Sequence, residues 1–236
     1  MNAPRHHTDS HRENDPAYDV LIRERFDQAG VASDYVGRKN HQQTWKNRRE
    51  LACIDAALDG IANDSLVLDL PTGTGRLIPM LLTRGYRVIA ADYSTHMLGQ
   101  AEQYAASLPI AGRERVSFQR EDVMAISLPD RSVDVAIANR LFHHYPTPAL
   151  RRRALGELAR VSRQRVVVSY FSNVALSALR FHLLNRLRGR TPTDRVPIWP
   201  REFAADVEAA GLRIVRTHAV RPGLSPQTYL VLRHQR

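Results

Sequence analysis

The stretch Leu66–Arg76, reading L-V-L-D-L-P-T-G-T-G-R, limits what this chain can fold into more than any other. Leu66–Leu70 is an apolar run of strand length that carries Asp69 near its end. Gly73 and Gly75 supply a turn, and a helical pattern starts at Arg76 and runs to Arg84, where Gly85 breaks it. A strand that passes through glycines into a helix N-terminus gathers backbone N–H groups at one spot. α/β proteins build nucleotide sites from those parts.

The rest of the chain repeats the alternation. Arg87–Ala91, ending at Asp92, reads as a second strand, and Ser94 or Thr95 can cap a helix over Met97–Ser107. Val116–Gln119, Val133–Ala138 and Arg165–Tyr170 read as further strands, with a helix at Pro148–Val161 whose proline falls where the first turn tolerates it. Near-continuous apolar strands predict a mainly parallel sheet covered on both faces. Asp122–Arg131 reads as loop rather than helix. The tail, a helix at Glu202–Ala210 and strands at Leu212–Val220 and Thr228–Leu232, predicts an antiparallel C-terminal hairpin at the sheet edge. The expected architecture is a Rossmann-like, doubly wound, seven-stranded sheet in a single domain over residues 18–236.

Two appendages flank that core. Residues 1–17 are polar and aperiodic, which predicts a disordered tail, and 18–64 reads as a helical cap with short helix Tyr18–Phe26 and helix Gln42–Leu58. Trp45 in the second helix is expected to pack inward. Residues 171–200 form a basic insertion in which Leu176, Leu179, Leu183 and Leu187 lie at helical spacing beside Arg180, Arg186, Arg188 and Arg190. This pattern suits a lid over a substrate, a helix lying on a membrane surface, or a helix packed on the body with arginine stems along its flanks.

The glycine loop discriminates among nucleotides. A dinucleotide fingerprint needs a third small residue where this chain has Ile78, and a carboxylate at Asp69 would repel a pyrophosphate while suiting an ammonium group. The lysine of a phosphate-binding P-loop is also absent. Asp92, at the end of the next strand, stands where ribose hydroxyls would be held.

L-D-L-P-T-G-T-G-R, A-D-Y-S-T-H-M-L, R-E-D-V and A-N-R-L-F-H-H, in this order, resemble the class I S-adenosylmethionine-dependent methyltransferases from about Leu66 to Tyr170. The resemblance implies S-adenosyl-L-methionine as cofactor. It implies that Asp69, Leu70, Pro71, Thr72, Gly73, Gly75 and Arg76 line its methionyl and adenosyl groups and that Asp92 binds the ribose. It also implies Tyr93 and Met97 near the adenine, Asp122 accepting from the adenine amino group beside Val123, and Asn139 facing the methionine portion. Tyr35 and Tyr145 are candidates for a lid. Pro71 departs from the family, which usually has glycine there.

Methyl transfer from a sulfonium asks the site mainly to align nucleophile, methyl and sulfur. An oxygen or nitrogen acceptor can also need its proton removed, for which histidine is suited. His143 and His144 follow the fourth strand and are the candidates for a base or acceptor-positioning group; no metal cluster is expected. A small-molecule or lipid-like acceptor is expected, with O-, N- or C-methylation open. A nucleic-acid acceptor and a non-catalytic nucleotide-binding regulator are the alternatives. The formal charge of +10, carried almost wholly by arginine, keeps an anionic partner open, including membrane-surface contact through 171–195. The lone Cys53, the lack of an apolar run near the ~20 residues that span a bilayer, and an N-terminus without a signal-peptide core predict a cytoplasmic protein.

Overall fold

The computed structural model describes residues 45–109, 111–187 and 196–235. The expected tail at 1–17, the helix Tyr18–Phe26 and the lid candidate Tyr35 lie outside the described residues.

Seven strands form one sheet in the order β3-β2-β1-β4-β5-β7-β6. They are β1 (Leu66–Asp69), β2 (Arg87–Asp92), β3 (Val116–Arg120), β4 (Val133–Ala138), β5 (Ser162–Phe171), β6 (Leu212–Ala219) and β7 (Gln227–His234). β1 to β5 are mutually parallel, while β7 runs antiparallel to both β5 and β6. The expected C-terminal hairpin is therefore present. Its second strand inserts between β5 and β6, which leaves β6 on the edge. Because β1 leads out to β2 on one side and pairs with β4 on the other, the sheet has its topological switch point between β1 and β4, where α/β folds open a crevice.

Both faces are covered. On one, Val67, Val88, Val135, Ile137 and Val167 pack beneath α1 (Trp45–Ala57), α2 (Ile78–Thr83) and α3 (Thr95–Ser107). On the other, Leu68, Ile89, Ala136, Val166 and Val168 pack beneath α4 (Pro148–Val161) and α6 (Pro200–Ala209). Neighbouring residues of one strand thus serve opposite faces, which is why these strands read as unbroken apolar runs. Each fully buried leucine or valine contributes roughly 1.5–3 kcal/mol.

Arginines do much of the joining. Arg165, buried within β5, donates to the carbonyls of Ala57 and Asp59 and so satisfies the C-terminal end of α1. Arg160 donates to the carbonyls of Ile126 and Leu128 and to the Asp130 carboxylate, fastening the loop that replaces a helix between β3 and β4. These two guanidiniums are thereby engaged within the fold.

Three expectations are corrected. The helix expected from Arg76 starts only at Ile78: Gly73–Leu77 is continuous turn, and Pro79 brings no N–H to an upstream α-helical bond. β5 is longer than Arg165–Tyr170 because α4 passes directly into it at Ser162. Trp45 is half-exposed rather than packed inward, with the Arg49 and Arg221 guanidiniums over its ring at 5.8 and 5.1 Å.

Candidate active site

A cleft opens at the C-terminal ends of β1, β2 and β4. Its floor begins with the glycine loop. The chain leaves β1 through a cis Leu70–Pro71 bond, and Thr72 N–H donates to the Ala91 carbonyl at 2.7 Å, binding the loop to β2. Gly73 and Gly75 take φ of +57° and +79°, which L side chains rarely adopt. A Cβ at Gly75 would lie 2.9 Å from Ile78 Cδ1 and 3.2 Å from Ala101 Cβ, so glycine here lets the loop approach α3.

Asp92 holds the loop's shape. One of its carboxylate oxygens accepts from Gly73 N–H at 2.8 Å, and the other accepts from Ser94 N–H at 3.0 Å. Ser94 in turn caps α3, its hydroxyl accepting from Met97 N–H. Tyr93 carries the Arg120 guanidinium 4.8 Å from its ring centre. Asp122 accepts from Met124 N–H, and Glu121 accepts from both the N–H and the hydroxyl of Ser127.

Asp69 is buried, and one carboxylate oxygen accepts from the Thr72 hydroxyl at 2.8 Å. Its other oxygen, Oδ1, has no partner. Burial pushes this carboxyl up to about 7; the Thr72 bond and the Arg76 charge oppose that rise, and Asp92 adds slightly to it.

The opposite wall draws on distant parts of the chain. Glu50 of α1 is fully buried and accepts from the guanidiniums of Arg76 (3.1 Å) and Arg140 (2.7 Å). Asn47, one helical turn earlier, also accepts from Arg76. Arg76 Nη2 is buried without a partner. Arg140 takes a φ of +57°, and its N–H donates to the Ser169 hydroxyl. Asn139 accepts from the Tyr229 hydroxyl at 3.0 Å, which ties the mouth of β4 to β7. Burial raises the Tyr229 phenol well above its ordinary value.

The structure brings Asp69, Leu70, Pro71, Thr72, Gly73, Arg76, Asp92, Tyr93, Met97, Asp122, Val123, Asn139, His144 and Tyr145 into the wall of this one cleft. Gly75 lies beneath it. The two histidines are both buried and their ring centroids lie 4.1 Å apart, but only His144 lines the cleft, while the His143 ring stacks on Phe171 at 4.0 Å. Tyr145 is fixed from behind, because Arg151 donates to its carbonyl and pairs with the buried Asp206 of α6 at 2.6 Å. Among the described residues no group of three His, Cys, Asp or Glu side chains could hold a metal ion, and no helix is long and apolar enough to cross a membrane.

Sequence reasoning missed Glu50, Asn47 and Glu121. A signal for the first two existed. Asn47, Glu50, Ile54 and Ala57 fall at helical spacing, so two polar groups lie on the buried stripe of α1.

Residues 67–165 match the family model described as a methyltransferase domain. Over 157 residues the chain is 31% identical to the demethylmenaquinone methyltransferase of Thermobifida fusca (strain YX), a match covering 65% of this chain and 61% of that protein. A second such enzyme, from Clavibacter sepedonicus, is 31% identical over 116 residues, covering 48% of this chain and 44% of the relative. The chain therefore matches less than two thirds of the length of either relative. Among solved structures, magnesium protoporphyrin IX methyltransferase from Synechocystis PCC 6803, with bound SAH, has a TM-score of 0.74 at 21% identity. That likeness covers 92% of this chain and 99% of that chain and is one of fold.

Proposed function

We propose that this chain, whose residues 67–165 match a methyltransferase domain, is a class I methyltransferase that transfers a methyl group from S-adenosylmethionine to a small-molecule acceptor. One observation carries the cofactor assignment. Asp69 and Arg76, residues of opposite charge, line the same cleft. A ligand with an amino-acid end has an ammonium for the first and a carboxylate for the second. Hydrogen bonds to charged groups contribute about 1.5–3 kcal/mol each, so a ligand that engages both side chains gains accordingly.

The remaining residues fit the rest of that ligand. Asp92 offers its carboxylate to ribose hydroxyls from the end of β2, with the loop N–H of Gly73 already fixing its direction. Asp122 and Val123, with Met97 and Tyr93, supply one polar edge and an apolar slot for a purine. Arg140 adds a second cation beside Arg76, and Glu50 holds both. When bound, the donor supplies a methyl carbon on a sulfonium. The protein's task is to hold an acceptor in line with it and keep water out.

His144 is placed to orient the acceptor and take its proton if the nucleophile is a hydroxyl or amine, since it lines the cleft beside Tyr145. Leu70, Leu77, Val123 and Leu141 make much of the lining apolar, which favours a small and partly hydrophobic acceptor.

Titration calorimetry with S-adenosylmethionine tests the cofactor, and release of S-adenosylhomocysteine across a panel of quinol, porphyrin, phenol and RNA acceptors tests the reaction. His144→Ala should lower turnover on a hydroxyl or amine acceptor by about 100-fold or more while leaving donor affinity within a factor of a few. Equal turnover in the variant removes His144 from the chemistry. Donor binding without product on any acceptor would favour a regulator.

A further inference from the structure

The helix α5 (Leu176–Leu187) is built inside out. Leu176, Leu183 and Leu187 lie on one stripe at helical spacing, with Leu184 at its margin, and they are 59%, 56%, 74% and 37% exposed. Ala178, across the helix from that stripe, is buried instead. An ordinary surface helix turns its leucines to the core. Here the small residue faces the body and the leucines face outward.

The patch extends beyond the helix. Leu176 N–H donates to the Gly223 carbonyl, which brings Leu224, 47% exposed, next to the start of α5. Asn173 N–H donates to the Ile198 carbonyl, so Trp199, 46% exposed, borders Val174, 64% exposed. Exposed large apolar side chains gathered on one element and its neighbours mark a contact site. A tryptophan at the margin is the side chain favoured where apolar and wet phases meet.

Charge decides the occupant. Between Phe171 and Thr193 the sequence has four arginines, Arg180, Arg186, Arg188 and Arg190, and no aspartate or glutamate. Arg180 is exposed and falls within the leucine stripe. Leucine outward with arginine beside it, its stem able to lie along apolar surface while the guanidinium stays among polar groups, is the composition of a helix seated in the headgroup region of an anionic bilayer. An acidic protein partner would account for the arginines but not for five exposed aliphatic side chains on and before a single short helix.

We propose that α5 docks on the surface of an anionic lipid bilayer, leucine stripe inward, with Val174, Trp199 and Leu224 completing the contact. The docked element is rooted at the cleft. The chain returning from it passes Val196, whose N–H donates to the His143 carbonyl at 2.9 Å, one residue from His144. The docking itself does not depend on methyl transfer, and its test needs no cofactor.

The full chain should co-sediment with vesicles of phosphatidylglycerol and phosphatidylcholine in equal parts, and far less with phosphatidylcholine alone. Leu183→Ser/Leu187→Ser should weaken binding to the anionic vesicles by about tenfold or more. The control Arg213→Ser/Arg216→Ser removes two exposed charges on β6 and should retain most of the binding. Unchanged circular dichroism shows that both variants fold. The proposal is overturned if the wild-type chain stays in solution, if the leucine variant binds as well as wild type, or if the control loses as much binding as the leucine variant. It is also overturned if the leucine variant instead turns a dimer into a monomer in sedimentation, since a second copy would then be what covers the stripe.

Discussion

The wall of the cleft built on β1 and β2 is held by contacts of short sequence range, and the wall built on β4 is held from far away. On the first, Thr72 bonds Asp69, Asp92 bonds Ser94, and Ser94 bonds Met97, each within three residues, while Asp92 reaches Gly73 across neighbouring strands. On the second, Arg140 is held by Glu50, ninety residues earlier, and Asn139 by Tyr229, ninety residues later. The near wall is therefore a local device that forms wherever this strand–loop–strand unit forms. The far wall exists only when the N-terminal helix, β4 and the C-terminal hairpin have all assembled. Damage to the near wall should appear in ligand affinity, and damage to the far wall in the stability of the whole.

Glu50→Ala should give the largest effect. It strands Arg76 and Arg140 beside a buried void and should cost about 3 kcal/mol of stability, read from the midpoint of urea unfolding. Glu50→Gln, which keeps an acceptor, should cost less. If Glu50→Ala unfolds at the wild-type midpoint, the far wall is not the integrating element.

Asp92→Ala should follow, with about 100-fold weaker donor binding, as expected for loss of charged hydrogen bonds, and a smaller loss of stability than Glu50→Ala. The reverse ranking in urea would break the comparison.

Asp69 gives a pH signature to the near wall. Its carboxyl titrates at about 7 when the cleft is free. A ligand ammonium favours the ionised form, so donor affinity should rise as pH increases through that value, by up to about tenfold per unit below it, with proton release on binding. The free protein has the opposite dependence. Asp69 is protonated in the fold and ionised in the unfolded chain between the ordinary carboxyl range and about 7, so its contribution to stability declines as pH rises across that window and is level above it. Asp69→Asn should abolish both trends. Calorimetry in buffers of different ionisation enthalpy reads the proton directly.

Tyr229→Phe should be the mildest. It removes the bond to Asn139 and should cost about 1 kcal/mol, with donor affinity changed only a few-fold. An effect on affinity as large as that of Asp92→Ala would show that Asn139 needs Tyr229 to bind ligand at all.

The extent to which the molecule could be read from its sequence follows the same division. Apolar runs of strand length, the glycines at 73 and 75, and acids at the ends of three strands fixed the sheet and its near wall, because these are signals of composition and spacing within about thirty residues. The failures were of two kinds. Trp45 is apolar by sequence yet half-exposed, since burial depends on which surface a helix finds and not on its own pattern. Glu50 is charged by sequence yet fully buried, since only the folded chain brings two guanidiniums to it.

His143 and His144 show the limit most plainly. Adjacent residues of one type have the same sequence signal, and only the turn at Phe142–His144 stacks the two rings so that His144 borders the cleft and His143 lies behind it against Phe171. The sequence by itself determined the alternation, the direction of the strands and the residues of the glycine loop, because local stereochemistry and periodicity suffice for those. Tertiary structure alone decided which charges meet, which histidine borders the cleft and that Leu176, Leu183 and Leu187 are left outside, because those depend on contacts between segments that the chain brings together only on folding.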